Sequence, residues 1–211
     1  PAFKMTGSKV KLGKKYMDAD IFPKEVNEYY EPFAGRGNIF FTFVHYGGIA
    51  NEYHLNDMSM VYFISALKEY SGDYSFINQW PITKQDYKDW MEKPNSIEKD
   101  LAEAFIVRHG NRWGMGPNTS DPTNRGRNGH HPDHVAAKFR TAKKYLNENI
   151  TTLYSGDWYD FLMEFEFKED DFVYLDPPYN AKQKVWYENI NHEKLLEVAN
   201  NLPCRVAISG Y

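Results

Sequence analysis

A chain of 211 residues suits one domain, or one domain with an insertion, and is long enough to bury a core without disulfides. Its formal net charge of −4 excludes a surface that attracts polyanions everywhere, so any such contact must be a local patch. The single Cys204 excludes an internal disulfide and a Cys-rich zinc site; the lysine-rich start lacks an apolar signal core, and no apolar run is long enough to span a membrane, so a soluble, cytoplasmic protein is expected.

Residues 4–15 are basic and glycine-punctuated, with Lys4, Lys9, Lys11, Lys14 and Lys15 around Gly7 and Gly13. Tyr29 to Phe33 predicts a short strand, Ala34-Gly35-Arg36-Gly37-Asn38 a turn, and Ile39 to Tyr46 a helix stopped by Gly47-Gly48. Ile49 to Leu55 predicts a second strand with Asn56-Asp57 at its end, and Met58 to Tyr70 is apolar at helical spacing. Strand, Gly-rich turn, helix, strand, acid, helix is the first half of a nucleotide-binding α/β unit.

The middle of the chain differs. Asp86 to Met91 and Ile97 to Val107 read as helices, and Arg108 to Pro132 has the composition of a long loop. From Arg108 to Lys144 eight basic residues face two acidic ones, a charge of +6 that leaves −10 for the rest. That asymmetry points to a polyanion-facing patch, with Arg112, Arg125 and Arg127 as candidate contacts, unless the charges only aid solubility. His130, His131 and His134 lie in this stretch without ligand-like spacing, and no metal site is expected. The α/β pattern then resumes: helix Val135–Leu146, strand Ile150–Tyr154, a short helix from Asp157 to about Leu162, strand Asp171–Leu175, helix His192–Leu202 and strand Arg205–Ser209. Cys204 opens the last of these as a core thiol. Aromatic residues make up 17% of the chain, enough for a heavy core or for base-stacking platforms, and composition does not separate the two.

The chemistry concentrates in turns. Pro177 and Pro178 forbid continuation of the strand that ends at Leu175, because neither has an N–H for the ladder. The chain must leave the sheet at its carboxyl edge, where ligands bind in open α/β sheets, and present Asp176 and Tyr179 there. An acid, a freed carbonyl and a flat ring in one turn suit an exocyclic amine on a planar base. The Gly35-Arg36-Gly37 turn allows close backbone approach to a ligand. It lacks the third glycine of a dinucleotide fingerprint, since Phe40 stands there, which argues against a nicotinamide dehydrogenase. Asp57 follows about 20 residues later, where an acid accepts ribose hydroxyls or caps a helix. Asp157-Trp158 either binds and stacks an adenine or caps the next helix.

Lys4-Met5-Thr6-Gly7-Ser8-Lys9, Glu31-Pro32-Phe33-Ala34-Gly35-Arg36-Gly37, Asn56-Asp57, Gly156-Asp157-Trp158 and Asp176-Pro177-Pro178-Tyr179 together resemble, in order and over nearly the whole chain, the Dam-type (alpha-group) DNA adenine-N6 methyltransferases. Arg112-Trp113-Gly114-Met115-Gly116 and Ile208-Ser209-Gly210-Tyr211 look most like the phage and prophage branch. The resemblance implies a Rossmann-like S-adenosylmethionine-dependent sheet formed by residues 1–70 and 133–211, with 71–132 inserted for target recognition. It also implies further strands after Tyr211 that this chain is expected to lack.

The resemblance assigns the cofactor S-adenosylmethionine to Lys9, Glu31, Pro32, Phe33, Gly35 and Gly37, its ribose to Asp57 and its adenine to Asp157 and Trp158. Asp176 contacts both the methionine end and the target amine, Pro177 accepts the amine's other proton, Pro178 completes the turn, and Tyr179 stacks on a flipped adenine. Met5 and Ser8 depart from the family's first motif, and the DNA-reading hairpin of housekeeping members has no clear counterpart. The implied partner is double-stranded DNA, with a cognate restriction endonuclease in some roles, and the implied state is a monomer in a prokaryotic or phage-infected cytoplasm. Cytosine-N4 or RNA-adenine methylation, or an inactive nucleic-acid-binding module on the same fold, are the alternatives; cytosine-C5 chemistry needs a thiol nucleophile and is disfavoured.

Overall fold

The computed structural model describes residues 13–58, 61–76, 92, 94, 96–98, 101, 132–178 and 190–209. In chain order the elements are α1 (Gly13–Asp18), β1 (Glu25–Glu31), α2 (Asn38–His45), β2 (Ile49–Asn56), α3 (Val61–Glu69), α4 (Pro132–Glu148), β3 (Thr151–Tyr154), α5 (Trp158–Met163), β4 (Phe172–Leu175), α6 (His192–Asn201) and β5 (Arg205–Ile208). The five strands form one parallel sheet in the order β3-β2-β1-β4-β5. This is the Rossmann-like α/β arrangement expected. The chain runs outward from β1 through β2 to β3, then returns to place β4 on the other side of β1. That reversal opens a crevice at the carboxyl ends of β1 and β4.

β4 shows why the sheet is buried on both faces. All four of its residues are buried; Phe172 and Tyr174 point to one face, Val173 and Leu175 to the other. The first face packs on α1 to α4 through Phe22, Phe40, Phe43, Phe63 and Phe139, all fully buried. The second packs on α5 and α6 through Trp158, Phe161, Leu162, Leu195 and Ala199. Among the described residues the aromatic side chains therefore go chiefly into the core, at about 1.5–3 kcal/mol for each fully buried large side chain. Tyr74, Phe76 and Leu101, from the segment expected to be inserted, are buried in the first cluster.

Several boundaries differ from the sequence expectation. β1 starts at Glu25 rather than Tyr29 and ends before Pro32. Its polar first half is tolerated because Glu28 Oε2 accepts from Tyr30 Oη at 2.7 Å and bonds His54 Nε2 at 2.9 Å, while Asp171 Oδ1 accepts from the Glu28 N–H at 3.1 Å. Burial raises the Glu28 pKa, but the bonds from Tyr30 and His54, with the His54 charge, outweigh it and hold the carboxyl below its usual range. Asp171 itself lies just outside β4 and joins the strands by accepting from Asn27 and Lys168. α4 begins at Pro132, where a loop was expected to continue; proline suits a first helical position because its missing N–H has no intrahelical partner there. α1 was not expected at all. Gly13 is a packing contact rather than a break: a Cβ there would come within 2.0 Å of Thr42 Cγ2. Asp86–Met91, most of Ile97–Val107 and Arg108–His131 lie outside the described residues.

Candidate active site

Pro32 ends β1, and the turn that follows needs left-handed backbone at Gly35 (φ 55°) and Gly37 (φ 68°). A Cβ on Gly37 would also crowd Phe41 Cε2 at 3.2 Å and Ile64 Cδ1 at 3.3 Å. Gly37 offers α2 no side-chain cap. Glu31 takes over that role from the strand: its Oε2 accepts from the Phe40 N–H at 3.0 Å and from Tyr29 Oη at 2.9 Å.

Glu31 is buried, and burial pushes its pKa well above the ordinary 4.5; the bonds from Tyr29 and Phe40 oppose the shift, while the charges of Asp176 and Asp57 reinforce it. The folded state therefore holds a proton there that the unfolded chain releases near its ordinary value. This stabilisation is complete below about pH 4.5 and is lost as pH rises through the folded value. Gln copies the neutral acid in shape. Urea unfolding across pH 4 to 8 is expected to show wild-type stability declining with pH relative to Glu31→Gln, and a constant difference between the two would refute a protonated Glu31.

The loop ends are held in register by Asn56 at the end of β2. Its Nδ2 donates to the carbonyls of Pro32 and Gly156, each at 3.0 Å, its Oδ1 accepts from the Gly156 N–H at 3.0 Å, and its backbone carbonyl accepts from the Ala34 N–H at 2.8 Å. One buried amide thus fixes the loops after β1, β2 and β3 together. Next to it, Asp57 Oδ2 accepts from the Gly35 N–H at 2.9 Å, so the acid faces across the site to the glycine turn.

These loops enclose a cavity of about 390 Å³. Pro32, Phe33, Asp57, Asp157, Trp158 and Pro178, all predicted site residues, line it. Phe33 and Trp158 form an aromatic wall, with ring centroids 6.0 Å apart at 33°. Asp157 is the N-cap of α5: its Oδ1 accepts from the Tyr159 and Asp160 N–H groups at 2.7 and 3.4 Å. The two readings of Asp157 are compatible, because it caps the helix and still faces the cavity. Glu31, Gly35, Gly37, Asp176 and Pro177 do not line it, though Glu31 and Pro177 adjoin the lining Pro32 and Pro178 in sequence.

The opposite wall was not foreseen. Ile190, Asn191 and Lys194 come from the start of α6, with Asn191 as its N-cap and the Lys194 ammonium 3.3 Å from the Tyr159 ring centroid. An Asn before a helical run was the available signal for the cap; nothing local tied it to the cavity. Arg36, between the two glycines, is turned away from solvent and packs its guanidinium 5.6 Å over the Phe63 ring.

Asp176 follows β4 directly and is half-buried, and its Oδ1 accepts from the Ser209 hydroxyl. Lys9, Tyr179, Arg112, Arg125 and Arg127 lie outside the described residues. Cys204 precedes β5, half-buried, and burial pushes its thiol up to about 11, so it is protonated and unsuited to nucleophilic attack. Among the described residues no cluster of His, Cys, Asp and Glu could hold a metal ion, and no helix is long and apolar enough to cross a membrane.

The family model described as D12 class N6 adenine-specific DNA methyltransferase matches residues 6–197. No curated protein matches the chain.

Proposed function

We propose, on the premise that the chain belongs to the D12 class N6 adenine-specific DNA methyltransferase family, that it transfers a methyl group from S-adenosylmethionine to the exocyclic amine of an adenine flipped out of double-stranded DNA. The single observation that carries this reading is the convergence of Phe33, Asp57, Asp157, Trp158 and Pro178 on one cavity beside Asp176, at the point where the strand order reverses. Its volume suits a nucleoside-sized ligand.

The residues present fit the family's methyl donor. Asp57 offers a carboxylate to ribose hydroxyls, and Phe33 with Trp158 offers an apolar wall to the adenine. The carboxyl groups of Asp57 and Asp176 favour a cationic ligand. When bound, S-adenosylmethionine supplies an electrophilic methyl on a sulfonium. Asp176 and the Pro177 carbonyl accept the two protons of the target amine, which turns its lone pair towards that methyl. The two prolines fix the turn, so acceptance costs little reorganisation. As the amine nitrogen takes the donated methyl, Asp176 would pass the amine's surplus proton to solvent. Tyr179 stacks on the flipped base, residues 1–70 and 133–211 form the catalytic domain, and 71–132, with Arg112, Arg125 and Arg127, meets the DNA backbone. Lys9 completes the donor site.

The test is transfer of labelled methyl from S-adenosylmethionine to unmethylated DNA, with the product nucleoside identified by mass spectrometry. N6-methyladenine is expected. N4-methylcytosine would overturn the acceptor, and absence of both transfer and donor binding would overturn the reading altogether.

A further inference from the structure

Two prolines fix the backbone after Asp176, but backbone alone does not set the plane of its carboxylate. Something else must set the plane of that group if it is to receive an amine proton in one direction. β5 supplies it. β4 and β5 pair in parallel with Leu175 opposite Ile208, which brings Ser209 alongside Asp176. The Ser209 N–H donates to the Leu175 carbonyl at 2.8 Å, so its backbone is tied to the residue immediately before the acid. Its hydroxyl donates to Asp176 Oδ1. Ser209 is 8% exposed, so water competes poorly for this bond.

We infer that Ser209 is a positioning residue for methyl transfer: by holding Asp176 Oδ1 it orients the carboxylate so that Oδ2 is directed to the target amine. The inference rests on the proposed function, in which Asp176 accepts an amine proton, and adds a residue from the neighbouring strand to that site. A hydroxyl gives a carboxylate acceptor a charge-assisted bond, shorter and stronger than one between neutral groups. Burial raises the Tyr174 hydroxyl well above its ordinary value, an interaction with Ser209 lowers it and the Asp176 charge raises it, so Ser209 meets a neutral phenol beside the carboxylate it holds.

The role separates from cofactor holding, because Ser209 does not line the cavity that takes the donor. Ser209→Ala is therefore expected to lower the single-turnover rate of methyl transfer by roughly 10- to 100-fold, the loss of one charge-assisted hydrogen bond at the reacting group. The dissociation constant for S-adenosylmethionine, measured by calorimetry on the same full-length preparations, is expected to stay within about twofold, and its stoichiometry counts the folded fraction. Ser209→Thr keeps the hydroxyl and is expected to restore most of the rate. An alanine variant with wild-type rate would overturn the inference and leave the proposed function standing. Parallel loss of rate and cofactor binding, without rescue by threonine, would make Ser209 merely structural and overturn it as well. A wild-type protein that binds S-adenosylmethionine yet methylates no adenine would instead remove the proposed function, and the inference with it.

Discussion

Replacing Asp176 with alanine is expected to lower methyl transfer by at least about 10³-fold while the protein stays folded and its affinity for S-adenosylmethionine falls far less than the rate does. The large effect follows from where the proton acceptor sits. Adenine's amine is a poor nucleophile because its lone pair is delocalised into the ring, so the acceptors that hold its protons act mainly in the transition state. The small structural effect follows from the surroundings. β4 is buried by Phe172, Val173, Tyr174 and Leu175, none of which depends on the Asp176 side chain, and Ser209 N–H remains bonded to the Leu175 carbonyl. The side chain is half-buried, and the hydrogen bond it gives up with Ser209 is worth about 1–2 kcal/mol. Asp176→Asn keeps the shape but presents an amide with only one acceptor oxygen, and is expected to fall between alanine and wild type in rate. Single-turnover rates set beside thermal unfolding separate the two effects. An active Asp176→Ala protein would rule out the acceptor role.

The elements that could be read from the chain are those whose cause is local. Phe172 to Leu175 followed by two prolines is a buried strand with an enforced exit, and the structure places that exit at the carboxyl edge of the sheet. The Gly35 and Gly37 turn was legible because only a tight turn explains such spacing, and both residues have positive φ. What escaped has causes distant in sequence. Gly13 looks like a break until Thr42 packs against it, so α1 was invisible. Glu25, Asn27 and Glu28 are poor strand formers, and only their partners Asp171 and His54 explain β1's first half. Asn56 was visible as a polar residue at a strand end, yet its bonds reach Pro32 and Gly156, 24 and 100 positions away. The α6 wall of the cavity arrives from the far end of the chain for the same reason. Asp157 was ambiguous between cap and ligand, and the ambiguity was physical: one oxygen caps α5 while the residue faces the cavity.

Asp57→Asn is expected to give the opposite kinetic signature to the Asp176 variants: affinity for S-adenosylmethionine about 10²-fold weaker, with the rate at saturating cofactor reduced only a few-fold. Asp57 carries two tasks on one carboxylate. Oδ2 already accepts from the Gly35 N–H, which holds the glycine turn at φ 55° against the cavity. In the proposed complex, ribose hydroxyls need acceptors from the same group. An ionised carboxylate can serve both, since its oxygens offer about four lone-pair sites. Asparagine has one acceptor oxygen. If that oxygen keeps the Gly35 bond, the amide presents N–H groups to hydroxyls that should donate; if it turns to the ribose, the Gly35 N–H loses its partner and the turn loosens. Either outcome penalises the bound cofactor and leaves the Asp176–Ser209 pair at β4 and β5 intact, so the chemical step is spared. Asp57 is 6% exposed, which leaves little room for water to replace the missing acceptor. Isothermal titration with S-adenosylmethionine, paired with methyl transfer at saturation, decides the matter. Unchanged affinity would show that Asp57 serves only the glycine turn, and a rate collapse with normal affinity would place it with Asp176 at the reacting amine.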